Sequence, residues 1–310
     1  MQKGIVLKAL GQSYDVLMDS GKVTGCTLKG NLRLKDISTT SPVAVGDHVT
    51  IVPAEHGNDY TIAAIEPRKN YIIRQSKKLS KQYQIIASNI DQVFILITLM
   101  HPKTHNTFVD RILTTAEAYR IDAHLIFNKR DLYAQKQMEE QEERLAVYDP
   151  LGYPCHVISL MDDKYIAQFK KLCKGKVTLL CGMSGTGKTT FINLLLPGSS
   201  RKTGAISNAH LKGKHLTTFS EMIPLPGGGF IIDTPGIQEF GIADISKYEL
   251  SQYFREMNHY RARCRFNNCV HINEPGCAVI KAVEEGEITL SRYESYLSIY
   301  NNEASEEKRY

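Results

Sequence analysis

The stretch "GMSGTGKTTF", residues 182–191, decides the fold. Gly182, Gly187, Lys188 and Thr189 satisfy G-x-x-x-x-G-K-[ST], with Ser184, Gly185, Thr186 and Thr190 completing the loop. An apolar strand, "KVTLLC", precedes it and a helical stretch, "TTFINLLL", follows, which is the setting a phosphate-binding loop requires. Glycines let backbone amides turn inward around phosphates, and the helix N-terminus adds partial positive charge. Lys188 is expected to reach the β- and γ-phosphates of a nucleotide, and the Thr189 hydroxyl to bind Mg²⁺.

Two further elements belong with this loop. In "GGFIIDTPG", residues 228–236, a buried strand delivers Asp233 to its carboxyl edge, placed to hold Mg²⁺ through water, with the Gly236 amide placed for a γ-phosphate. In "FNKRD", residues 127–131, Asp131 can accept two hydrogen bonds from guanine N1–H and its exocyclic amine. Adenine offers no such donor pair and would leave the carboxylate unmatched. Lys129 is expected to lie along the base plane, and Asn128 to tie its loop to the phosphate loop.

The order of these elements is unusual, because the base-reading quartet precedes the phosphate loop. In a doubly wound sheet all ligand loops sit at the carboxyl edge, so binding needs the right spatial neighbours and not one chain order. The strand "DQVFILITL" and the helix after it supply, at the start of the domain, the unit that would ordinarily follow D-x-x-G. The sequence therefore predicts a circularly permuted GTPase domain, cut between Gly236 and Asp91.

The rest of the 310 residues surrounds this core. Residues 1–66 hold short alternating stretches punctuated by turns, among them "VGDHVTI", which predicts an OB-like β-barrel. Residues 67–85 carry Arg68, Lys69, Arg74, Lys77, Lys78 and Lys81 and read as a basic linker, either a solvated connector or a nucleic-acid contact. Residues 86–245 alternate continuous apolar strands with helices, the pattern of a parallel α/β sheet covered on both faces. Residues 246–310 read as a charged helical tail interrupted by cysteines.

Within that tail "CRFNNCVHINEPGC" offers Cys264, Cys269, His271 and Cys277. Three thiolates and an imidazole suit tetrahedral, structural Zn²⁺ with no open position; a water or another side chain replacing His271 is the alternative. The other four of the seven cysteines, Cys26, Cys155, Cys173 and Cys181, sit beside apolar residues and read as core. Upstream of the cluster, "FREMNHYRARCRF" interleaves Arg255, Arg261, Arg263 and Arg265 with His259, Tyr260 and Phe266, a pattern fit either for RNA or for a solvated helix.

Apolar content of 42% with 23% charged residues excludes disordered and fibrous classes, and a net charge of +5 points weakly to a polyanion. No apolar run reaches the ~18 to 20 residues of a membrane span, and the charged N-terminus is no signal peptide, so the expectation is a cytoplasmic monomer with no membrane partner.

Permuted order, barrel and metal-bearing tail together resemble the ribosome small-subunit-dependent GTPases of bacteria (the RsgA or YjeQ family), over nearly the whole chain. The resemblance implies a GTP-hydrolysing assembly factor that binds the small ribosomal subunit and its rRNA, is stimulated by it, and is released after hydrolysis to GDP. It implies zinc in the tail as well. The family's phosphate loop is typically G-x-S-G-V-G-K-S; "GMSGTGKTT" departs conservatively. Its switch stretch H-T-T-T appears as "KHLTT", which keeps His215, Thr217 and Thr218, with either threonine available for Mg²⁺ and γ-phosphate. Its base-supporting loop appears as "ISL", giving Ser159. Ile237 stands where many GTPases carry a water-orienting glutamine, so intrinsic hydrolysis is expected to be slow, with His215 either the water-positioning group or a plain loop histidine. Two other readings are a stand-alone nucleotide-metabolising enzyme and a non-catalytic RNA-binding module. Because "IQEFGIADIS" joins Gly236 to the arginine-rich segment, loss of the γ-phosphate is expected to swing the tail.

Overall fold

A computed structural model describes residues 1–28, 41–54, 60–75, 83–162, 164–196, 198, 220–234 and 245–307. Five strands form the N-terminal barrel: β1 (Gln2–Leu10), β2 (Ser13–Met18), β3 (Val23–Leu28), β4 (His48–Pro53) and β5 (Tyr60–Ile65). They run β1-β2-β3-β5-β4, and β4 pairs back onto β1 to close the ring. Alternation fills the inside with Val6, Val16, Val49, Ile51 and Ile62, each wholly buried, around Tyr14 and Cys26.

Within the stretch expected to be a basic linker, residues 71–75 and 83–85 are strand. β6 (Tyr71–Gln75) pairs antiparallel with β7 (Tyr83–Ser88), and Ile72, Ile73 and Ile85 bury their side chains there. Two of its cations pair across the chain, Arg68 buried and Lys69 at the surface. Arg68 grips Asp47 of the "VGDHVTI" turn with two bonds of 2.6 Å and also donates to the Pro42 carbonyl at 2.7 Å. Asp47 is fully buried and accepts from Ser88 Oγ at 2.6 Å and the Ala44 amide at 2.8 Å as well. Gly46 must be glycine here: its φ is +90°, and a Cβ would stand 2.3 Å from the Ser88 carbonyl oxygen. Lys69 pairs with Asp91 at 2.9 Å. The sequence could not show these pairings, since each partner lies some twenty residues away and both look like surface charges. Lys77, Lys78 and Lys81 lie outside the described residues.

The central domain follows as β8 (Gln92–Ile97), α1 (Asn106–Ala118), β9 (Asp122–Phe127), α2 (Gln135–Tyr148), β10 (Cys155–Val157), α3 (Lys164–Cys173), β11 (Val177–Gly182), α4 (Lys188–Leu195), β12 (Glu221–Pro224) and β13 (Phe230–Asp233). All six residues of β8 are buried, as a strand with helices on both faces demands. Sheet order is β10-β9-β8-β11-β13-β12, parallel except for β12. The strand bearing the phosphate loop, β11, thus sits between the domain's first strand and its last. That placement is what permutation requires. Lys8 of β1 pairs with Glu221 of β12, in the ladder and by a 2.9 Å salt bridge, so barrel and domain share one continuous sheet.

The tail is helical: α5 (Arg255–Arg261), α6 (Ala278–Glu284) and α7 (Leu290–Glu307), around a core of Leu250, Phe254, Met257, Val279, Tyr296 and Ile299. It seats on α1. Arg292, 2% exposed, donates to Asp110 of α1 at 2.5 Å and to Glu256 of α5 at 2.6 and 3.2 Å, between the rings of Tyr148 and Phe254. Tyr148 donates to the same Asp110 oxygen at 2.8 Å. Arg255, expected on an RNA-binding face, is part of this joint: it bonds Glu117 at 2.7 Å and the Leu151 carbonyl at 2.9 Å and stacks on Tyr153. The tail is therefore fastened to the central domain by contacts outside the segment after Gly236. Among the described residues no helix is long and apolar enough to cross a membrane.

Removing one partner of a buried ion pair strands the other charge and costs about 3 to 5 kcal/mol. Asp47→Ala should lower the urea midpoint of the barrel, followed by tyrosine emission and circular dichroism, by that order. The double variant Asp47→Ala/Arg68→Met should recover part of the loss, because it buries no unmatched guanidinium.

Candidate functional site

Three loops converge at the carboxyl ends of β11, β9 and β10. The first, after β11, wraps inward through three left-handed glycines. Gly182 (φ +151°) leaves a gap that a Cβ would close at 2.7 Å from Thr186 Oγ1; Gly185 (φ +86°) lies against Pro102; Gly187 (φ +105°) lies against Asn128, where a Cβ would stand 2.6 Å from Nδ2. Thr186 is buried and donates to the Met183 carbonyl at 2.9 Å, pinning the turn. Ser184 and Gly185 stand exposed at the tip, while Thr189 and Thr190 are half-buried in the first turn of α4. Lys188 Nζ donates to the carbonyls of Gly182 and Met183 at 2.6 and 2.9 Å, inside the curl of the loop. Burial lowers its pKa, opposed by the charge of Asp233. Asp233 pairs in register with Leu180 of β11, which puts the end of β13 beside the strand that carries this loop.

The second loop is the N-K-x-D quartet, residues 128–131. Asn128 is 2% exposed and spends both ends of its amide. Nδ2 donates to the Thr186 carbonyl at 2.9 Å, and Oδ1 accepts from the Leu160 amide at 3.2 Å. Lys129 takes a left-handed φ of +68°, and its ammonium donates to the His101 carbonyl. A single 3-10 turn, Arg130–Leu132, then carries Asp131 outward. The third loop supplies Ser159, whose hydroxyl donates to Asp131 Oδ1 at 2.5 Å and accepts from the Met161 amide at 3.2 Å. Asp131 and its orienting partner thus come from different strand ends.

Two supports escaped the sequence reading. Tyr133 donates to the Asn128 carbonyl at 2.5 Å and accepts from the Leu99 amide at 2.9 Å, locking β8 to the quartet. The loop around Pro102, stapled by Thr98 Oγ1 to the Pro102 carbonyl at 2.5 Å, lies between the phosphate loop and Lys129. Neither carries a motif; a tyrosine two residues past N-K-x-D was the only available signal. His215, Thr217, Thr218 and Gly236 lie outside the described residues.

The tail holds the second site. Donor atoms of Cys264, Cys269, His271 and Cys277 lie within 4.8 Å of one another. Cys264 Sγ is 3.6 Å from His271 Nδ1 and 3.9 Å from Cys277 Sγ, and His271 Nδ1 is 3.3 Å from Cys277 Sγ. A tetrahedron with metal–sulfur bonds near 2.3 Å and a metal–nitrogen bond near 2.0 Å has edges of about 3.5 to 3.8 Å. The four residues therefore fit a metal ion. His271 Nε2 meets Ser251 Oγ at 3.2 Å, the outer-shell bond that fixes a ligating imidazole. Burial pushes the Cys269 thiol up from its usual range.

Family models match two stretches of the chain, the RsgA N-terminal domain over residues 3–61 and the RsgA GTPase over residues 65–243. The small ribosomal subunit biogenesis GTPase RsgA of Bacteroides fragilis is 48% identical over 99% of this chain and 98% of its own. That of Porphyromonas gingivalis is 47% identical over 99% and 98%. Among solved structures, YjeQ from Thermotoga maritima superposes with a TM-score of 0.77 at 30% identity, covering 97% of this chain and 98% of that one. YloQ, a circularly permuted GTPase, gives 0.72 at 28%, covering 97% and 95%.

A methyl group on Gly187 would meet both a disallowed φ and the Asn128 amide. Gly187→Ala should free Asn128 and with it the Leu160 amide. Hydrogen exchange at Leu160 should quicken by about tenfold or more, for a strain of ~1 to 3 kcal/mol, while the barrel amides keep their rates.

Proposed function

The chain belongs to the RsgA GTPase family, and on that footing we propose that it hydrolyses GTP to GDP and phosphate as an assembly factor of the small ribosomal subunit. The observation that carries the nucleotide reading is the Asn128 bridge, which holds an N-K-x-D loop against a phosphate loop although the chain reaches them in reverse order. Asp131, oriented by Ser159, would accept from the guanine edge, and Lys129 would cover the base. The amides of residues 182–190 would cradle the phosphates, with Lys188 at the β- and γ-oxygens. Thr189 and Asp233 are the residues that would hold Mg²⁺, which would supply positive charge against the charge developing on the phosphates. The Thr217 or Thr218 hydroxyl and the Gly236 amide would meet the γ-phosphate.

With Ile237 where many GTPases carry a glutamine, and Gln238 one step further on, we assign water activation to the subunit, which would order the loops around His215 and Gly236. The resident tail metal is best read as structural zinc, since Cys₃His leaves no open position. Arg261, Arg263 and Arg265, which remain outside the interdomain joint, are the residues we assign to rRNA. The protein would act as a cytoplasmic monomer and leave the subunit after hydrolysis. GTP turnover measured with and without purified small subunits tests the whole reading: stimulation is expected, and equal slow rates would defeat it.

Two predictions follow at the level of residues. Asp131→Asn should weaken GTP binding by ~2 to 4 kcal/mol through loss of the charge-assisted pair. Xanthosine triphosphate, which has a carbonyl where guanine has its amine, should bind the variant better than GTP does, a switch that mere loosening of the loop would not produce. Metal analysis of protein purified without chelators should find one zinc per chain. Cys269→Ser should lower that content and loosen the tail while nucleotide affinity holds.

A further inference from the structure

A cavity of about 480 Å³ opens beside the metal cluster, with Cys264, Cys269 and His271 on one wall. Its size is that of a small-ligand site. Two of its lining residues are aromatic and unusually bare: Tyr248 is 64% exposed and Phe266 41% exposed. Phe266 is steadied by Arg265, whose guanidinium lies 5.4 Å from the ring centre. Polar edges come from the amides of Asn258, Asn267 and Asn268, and Arg261 adds a cation. No carboxylate lines the cavity.

Resting on the reading above that this tail meets rRNA, we propose that the cavity receives one unpaired RNA base swung out of its stack. The chemistry selects that occupant. Bare aromatic faces suit the flat face of a base, carboxamides match base edges of either donor pattern, and arginine at the rim suits the attached phosphate. A basic peptide would call for acids in the wall, and a stacked duplex cannot present a base face to a pocket. The wall is also held in shape, because Ser251 is bonded to His271 and Tyr293 donates to the His271 carbonyl at 2.8 Å. The tail would thereby distinguish a helix with an extruded nucleotide from one whose bases are all paired, a difference in rRNA folding state rather than in sequence.

The test uses full-length protein and RNA hairpins carrying one bulged nucleotide, in A, C, G and U versions, against the same hairpin fully paired. Anisotropy should show at least one bulged hairpin binding about tenfold tighter than the paired one. Tyr248→Ala and Phe266→Ala should each erase that preference while zinc content, circular dichroism and unstimulated GTP turnover stay unchanged. A 2-aminopurine placed at the bulge should report stacking with the wild type and not with either variant. Variants that keep the preference overturn the proposal, as does a wild type with none. So does competition by free nucleoside monophosphates without RNA preference, which would make the cavity a small-nucleotide site. Cosedimentation with small subunits separates the two levels. Failure of the wild type to bind subunits defeats the functional reading, whereas equal binding by wild type and both variants with no bulge preference defeats the pocket alone.

Discussion

Everything at the nucleotide site hangs on one carboxamide. Asn128 reaches the phosphate loop with its nitrogen and the Ser159 loop with its oxygen, so three loops from three strand ends share a single buried side chain. Its backbone carbonyl is held in turn by Tyr133. The amide has little slack, since Gly187 gives it room only by lacking a Cβ. A chain whose segments have been reordered can still build the pocket because this bridge depends on spatial neighbours. Sequence order enters only through the sheet, where β8 and β13 must fall on either side of β11.

What the sequence disclosed and what it withheld follow from the range of the forces involved. Parallel strands covered on both faces read as unbroken apolar runs, which is why β8 and β11 could be recognised with their loops. The phosphate loop and quartet are local constellations and announce themselves within ten residues. The Asp47–Arg68 junction and the Arg292 joint do not, because their partners lie 21 and 182 positions apart in the chain. Arg68 and Arg255 consequently read as either solvated or RNA-facing charges and turned out to be engaged in ion pairs within the chain, Arg68 buried and Arg255 at the surface. Ser159 could be placed only by resemblance; its hydrogen bond to Asp131 gives that placement a physical role.

The Arg292 joint also changes how the tail is pictured. Two carboxylates, Glu256 from the tail and Asp110 from α1, converge on one buried guanidinium, and the Tyr148 phenol donates to Asp110. Such clusters add little net stability over apolar packing, but they tolerate few alternative geometries. The tail is thus held in one orientation by α1, the helix that begins just after the Pro102 loop. A nucleotide-driven swing of the tail would have to carry α1 with it or break this cluster.

The single ladder pair between β1 and β12 has a consequence for solubility. An open sheet of this kind leaves two edges whose unpaired amides and carbonyls invite a second chain. At one end β10 offers only three residues. At the other, β12 is met by β1 of the barrel at one ladder pair, Lys8 against Glu221. The barrel has no edge of its own to expose, since β4 closes onto β1. The N-terminal domain therefore acts as an end stop for the larger sheet, a guard against edge-to-edge stacking.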